Sequence, residues 1–407
     1  MIVDKQGLVS ELKTVLNEAT SNPNTMPGVI AGVTDAKKTL FLEASGIKEV
    51  GHPEAKVGRD DRLYLFSCTK AMTVMGALIL YDRKLLNFDI PASTYLPLIG
   101  DIGILDEESV DLETGEIKLP PKKPNNPVTI RHLITHTAGF SYSFLHPVYM
   151  ALTKVRPEVN GLQATRAYFC QEKIPLTFEP GTEWAYGHNI DWLGVIIEEV
   201  SGMKLGQFLQ KEIFAPAHMD HTTFYFTEPY TTLKLHMRGG NGDVKWLKKY
   251  PLKVPEQDMG GQGCWSTVGD YLKFMRIYLN DGQTAEGTRI IKKSTMRYAM
   301  QNHLPIGLGV STMMNDAGWD LPADAPLDGF SLTGHGVNGV QLPSGRPQGA
   351  VYWSGIGNLY YWIDYKNGIA GFWGQQLLPY LDGPSLEYYR RFETTVYNHV
   401  SDTSTKL

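Results

Sequence analysis

Cysteine is scarce: Cys68, Cys170 and Cys264 are the three in 407 residues, an odd number with no Cys-x-x-Cys spacing. That excludes a disulfide framework and a cysteine-built zinc site, and points to free thiols in a reducing compartment, the cytoplasm. No apolar run is long enough to span a bilayer. Residues 1–7 lack the basic-then-apolar order of a secretory leader. Basic clusters are also missing, and a net charge of −5 argues against nucleic acid or a membrane surface as partner. No Gly-x-Ser-x-Gly elbow occurs, which argues against one large hydrolase class. His132 and His136 have metal-site spacing, but Leu133 stands where His-Glu-x-x-His needs its glutamate, so no metal is expected. Gly334-His335-Gly336 lacks the strand-to-helix context of a phosphate cradle, and no cofactor is called for.

What is present describes an ordinary globular protein, 42% hydrophobic and 20% charged. The length exceeds one typical core, so two intimately packed subdomains are expected. The 8 Trp, 21 Tyr and 15 Phe suggest wide apolar contact surfaces and a bulky ligand. Apolar spacing predicts an amphipathic helix over 8–19, and strands over 28–33 and 39–44. A polar, proline-rich stretch near 98–127 reads as a surface excursion. Helices are expected at 129–133 and 190–197, strands at 349–353 and 359–364, and a closing helix over 386–399. Strands thus gather at both ends and helices in the middle. That pattern predicts an α/β sheet domain from residues 1–90 and 260–407, with a mainly helical domain, 91–259, inserted.

The most informative stretch is Ser67-Cys68-Thr69-Lys70, followed by an almost wholly apolar helix that ends near Arg83. A helix that apolar is buried. Its first turn therefore holds a hydroxyl and an amine at i and i+3 on one face, away from water. A lone buried lysine is costly, so the position needs a chemical reason. A serine nucleophile activated by an amine whose pKa burial holds down supplies one. Ser-x-x-Lys recurs at Ser10/Lys13, Ser45/Lys48 and Ser201/Lys204, all in solvated contexts.

Two further segments stand out. Tyr186 projects from the turn-rich loop 179–187 just before a helix; it is either a packing tyrosine or a phenol poised to move protons. Trp353-Ser354-Gly355-Ile356-Gly357-Asn358 breaks two strand runs, as a hairpin turn or as an edge strand whose N–H groups face the nucleophile.

Ser67-x-x-Lys70, the Tyr186 loop and the Trp353-x-Gly355 strand, in this order and at these separations, resemble the penicillin-recognising serine hydrolases. More closely they resemble the class C β-lactamase-like esterases and acyltransferases. Residues 130–142 and Phe144-Leu145-His146-Pro147 are similar to the fungal branch that includes the lovastatin-biosynthesis acyltransferase and lovastatin hydrolases. The resemblance implies a β-lactamase/D,D-peptidase-like fold, an antiparallel sheet flanked by helices with an inserted helical domain. It implies Ser67, Lys70 and Tyr186 as catalytic residues, with Lys70 depressing the pKa of Tyr186. An oxyanion hole would be made by the N–H groups of Ser67 and Ile356.

Two departures from the family pattern bear on substrate. After Tyr186 the usual Asn is His188, with Asn189 one place later. Where β-lactamases carry a cation on the strand, this chain has Trp353, and indole cannot pair with a β-lactam carboxylate. The expected partner is therefore a small-molecule ester, neutral and bulky, polyketide or statin-like. Trp353, Gly355, Tyr142, Phe144, Trp184 and Phe224, with Tyr149 and Phe178, are candidates to line its pocket. Hydrolysis through an acyl-enzyme on Ser67 is the expected reaction. Acyl transfer to a polyketide alcohol is the first alternative, and β-lactam or D,D-peptide cleavage the second.

Overall fold

The computed structural model describes residues 2, 4–156, 174–226, 232–248, 257–310, 319 and 321–400. Cys170 lies outside them. Helix α1 spans Lys5–Ala19, capped by the Asp4 carboxylate on Gly7 N, and buries Leu8, Leu12, Val15, Leu16 and Ala19. That 4-3-1-3 spacing is one helix face. Strands β1 (Gly28–Asp35) and β2 (Thr39–Gly46) follow as an antiparallel pair.

Five later strands complete the main sheet: β3 (Gly329–Phe330), β4 (Gly336–Val337), β5 (Val351–Gly355), β6 (Leu359–Asp364) and β7 (Ile369–Gly374). The order is β2-β1-β7-β6-β5-β4-β3, antiparallel throughout. All six β6 residues are buried, because both faces of the sheet are covered. Tyr361 and Ile363 join the larger core, while Tyr360 and Trp362 join a second core with α1 and the closing helix Gly383–Asn398. The period-2 alternation of a strand divides these residues between the two layers.

On the first face lie α2 (Thr69–Asp82), with its residues from Thr69 to Leu80 buried, and Val268–Leu279. Between them in sequence come α3 (Ile130–Ile134), α4 (Pro147–Leu152) and α5 (Asn189–Ser201). Stretch 98–127 is largely exposed, yet it tucks Ile102, Ile104, Leu105 and Val110 into the core and pairs Ile104 with Lys122. It is a folded excursion, held by those four apolar side chains.

Candidate active site

The strand leading to Ser67 is only Leu63–Tyr64, because Phe66 turns the chain with φ 47°. Ser67 then sits in a one-turn 3-10 segment, Phe66–Cys68, ahead of α2 rather than inside it. The tighter turn still stacks i over i+3, and Lys70 Nζ lies 3.2 Å from Ser67 Oγ. Lys70 is fully buried. Its other partners are Tyr142 OH at 3.1 Å and the Gly261 carbonyl at 2.8 Å. Burial pulls the Lys70 pKa down to about 8, with Asp191 and then Cys68 opposing.

A neutral amine has two N–H bonds and one lone pair. The Gly261 oxygen can only accept, so it takes one N–H, and the Tyr142 oxygen takes the second. The lone pair is left for the Ser67 O–H. In its neutral form the amine is thus placed to accept from that hydroxyl.

Tyr186 completes the cluster from the loop before α5. Its hydroxyl hydrogen-bonds Ser67 and accepts the Trp353 indole N–H at 3.1 Å. Lys70 Nζ stands 4.6 Å from its ring centre. The expected depression of its pKa is not found. Burial raises it, and the hydrogen bonds Tyr186 shares with Ser67 and Trp353 only partly counter that. Burial thus favours the neutral phenol at Tyr186 and the neutral amine at Lys70.

Strand β5 presses against the turn that carries Ser67. A Cβ on Gly355 would lie 2.7 Å from the Leu65 carbonyl and 3.3 Å from Phe66 Cβ, so only glycine permits the approach. Ile356 follows in the turn between β5 and β6.

The pocket candidates divide. Tyr142 touches Lys70 itself, with Phe144 stacked on it at 5.2 Å and half exposed. Trp184 and Trp353 flank Tyr186, at ring separations of 6.3 and 5.2 Å. Phe224 packs instead against Gly206 and Gly263, and Tyr149 donates to the Pro175 carbonyl; both are core. Phe178 is buried beside Gly139.

Phe330 was not singled out by sequence, yet its ring packs 5.2 Å from Trp353 and 6.1 Å from Trp184. No spacing marks a lone Phe after a glycine. His136 sits 4.7 Å from the Tyr186 ring, its pKa held well below normal by burial and by Lys70. Its Nδ1 faces Asn189, which also donates to the Phe140 carbonyl, while His132 caps α3. The two histidines thus have separate structural tasks. His188, in the usual Asn position, lays its ring 4.5 Å from that of Tyr142.

Comparison with known proteins gives the family and relatives of this chain. The beta-lactamase family profile matches residues 16–381. Monacolin J acid methylbutanoyltransferase of Aspergillus terreus is 27% identical over 398 residues, covering 91% of this chain and 92% of that protein. Lovastatin esterase of Penicillium rubens is 27% identical over 413 residues, covering 92% and 95%. A mutant simvastatin synthase from Aspergillus terreus superposes with a TM-score of 0.81 at 25% identity, covering 97% of this chain and 95% of that one. The antiparallel sheet flanked by helices is the fold this chain shares with that structure.

Proposed function

The chain belongs to the beta-lactamase family, and from that premise we propose that it is a serine esterase that cleaves bulky, neutral, statin-like carboxylic esters. The observation that carries this reading is the buried Lys70 amine in reach of Ser67 Oγ, beside a wall of aromatic rings.

The Ser67 O–H gives its proton to Lys70 Nζ as Oγ bonds to the ester carbonyl carbon. The oxyanion is held by the N–H groups of Ser67 and Ile356, each worth roughly 3 kcal/mol in sites of this kind. When the C–O bond to the alcohol breaks, Tyr186, hydrogen-bonded to Ser67, gives its phenol proton to the leaving alkoxide and takes in its place the proton held by Lys70, which returns to the neutral amine. Water then attacks the acyl-enzyme by the same route in reverse. An alcohol in place of water gives acyl transfer, and the relatives named for transfer and for esterase activity make both outcomes chemically natural. The same site residues serve either reaction.

Mass spectra of the products from a decalin ester with a short branched acyl chain, with and without an added alcohol, test this directly. Free acid is expected as the main product. Acyl-alcohol adduct outrunning acid would make the protein a transferase. No turnover of such esters would sink the proposal.

Trp353 supports the substrate class. An anionic β-lactam would lose hydration on entering this aromatic site and gain no ion pair. A neutral ester loses nothing comparable and buries apolar area worth about 25 cal/mol per Å². The expected result is a kcat/KM for the ester orders of magnitude above that for a chromogenic cephalosporin. Trp353→Lys should narrow the gap from both sides, adding a cation for the β-lactam and removing the hydrogen bond to Tyr186. Equal rates on both substrates in the wild type would return the protein to β-lactam chemistry.

Among the described residues no helix is long and apolar enough to cross a membrane. The cytoplasm is the compartment this reading assigns, where thiols such as the buried Cys68 and Cys264 stay reduced.

A further inference from the structure

Asp191 has no part in the steps above, and its burial asks for an explanation. It lies in the first turn of α5 with 2% of its surface exposed. An acid there suits the helix dipole, but an exposed one would do as well and would avoid the cost of desolvation. Its Oδ1 instead reaches across 70 residues of sequence to accept the Gly261 N–H at 2.8 Å. The carbonyl of that same residue accepts the Lys70 N–H at 2.8 Å. One glycine therefore links carboxylate to amine. A Cβ on Gly261 would lie 2.5 Å from the Asp191 carboxylate, so no other residue allows so close an approach.

The loop around Gly261 is tied to α2 on either side. Thr73 Oγ1 donates to the Gly260 carbonyl at 2.8 Å, and Cys264 N–H donates to Thr69 Oγ1 at 3.1 Å. Thr69, Lys70 and Thr73 all hold it along one flank of the helix.

We propose that Asp191 is a positioning residue that, through Gly261, aims the Lys70 amine at Ser67. The inference rests on Lys70 acting as the base for Ser67. With Gly261 O fixed on one N–H and Tyr142 on the other, the lone pair has one direction left. The Asp191 charge also opposes the loss of the Lys70 proton caused by burial. The other titratable groups facing Lys70 are Cys68 from the turn before its helix, His136 and Tyr142 from the loop after α3, and Tyr186 from the loop before α5. Facing Asp191 is His188, Nδ1 to Oδ2 at 3.6 Å.

The test is the rate of Ser67 labelling by a neutral aryl phosphonate as a function of pH. In wild type the rate should fall about tenfold per unit below a limb near pH 8, because the protonated amine cannot take the serine proton. Asp191→Asn keeps an acceptor for Gly261 N–H and removes the charge. The limb should move to lower pH by about half a unit or more, since losing a nearby anion disfavours the ammonium. The plateau rate should drop roughly tenfold as the aim loosens. A purely structural role would lower the Tm and leave the limb in place. A limb and plateau at wild-type values would overturn the proposal. Should Asp191→Asn fail to fold, Thr73→Val loosens the same loop without changing charge. Its plateau should fall several-fold with the limb unmoved, and an unchanged plateau would overturn the proposal equally. If wild type takes no label at Ser67, it is the proposed function that fails.

Discussion

Ser67→Ala should lower turnover of p-nitrophenyl and decalin esters on the order of a million-fold while leaving the Tm within a few degrees of wild type. The size follows from what is removed. Without Oγ there is no covalent route, and only binding and the oxyanion donors remain to accelerate attack by water. The fold should tolerate the change because Ser67 loses one small buried hydroxyl, while Lys70 keeps its bonds to Tyr142 and Gly261. A phosphonate should add one label to wild type, at Ser67, and none to the variant. Label that persists in Ser67→Ala would move the nucleophile elsewhere.

Lys70 and Tyr186 carry the second large effect. Lys70→Met or Tyr186→Phe should each reduce kcat by roughly a thousandfold or more. The double variant should be scarcely slower than either single one, because both serve the same proton as it leaves Ser67 and reaches the alkoxide. Losses that multiply would mean the two groups act in separate steps. Met is the better probe than Ala at position 70. Ala would open a cavity that Met fills, while either one leaves the Gly261 carbonyl without its donor, and an orphaned buried acceptor costs about 1–3 kcal/mol of stability. Tyr186→Phe removes one oxygen and leaves the Trp353 N–H with no acceptor at that place, so some loss of stability should accompany the loss of rate.

Much of this molecule is legible in its amino-acid order because the signals are periodic or local. The apolar spacing of residues 8–19 builds α1, and the run from Ala71 to Leu80 is buried on every side. The alternation in 359–364 divides cleanly between two cores. Ser67 and Lys70 meet because three residues make one helical turn, and that holds in a 3-10 segment as well as in an α-helix. The proximity of Tyr186 and Trp353 to them came from motif order, through a family resemblance rather than any period.

Only the tertiary structure decided the rest. Tyr142 meets Lys70 across 72 positions and Gly261 across 191, and nothing periodic announces such contacts. Phe330, a lone aromatic on a two-residue strand, joins the ring wall because β3 lies at the edge of the sheet beside the site. Phe224 and Tyr149, aromatic like Tyr142 and Trp353, pack against Gly206, Gly263 and Pro175, since composition gives a residue's chemistry and not its neighbours. The opposite pKa directions of amine and phenol likewise come from packing. Burial favours the neutral form of both groups, which readies Lys70 to accept a proton and leaves Tyr186 holding its own.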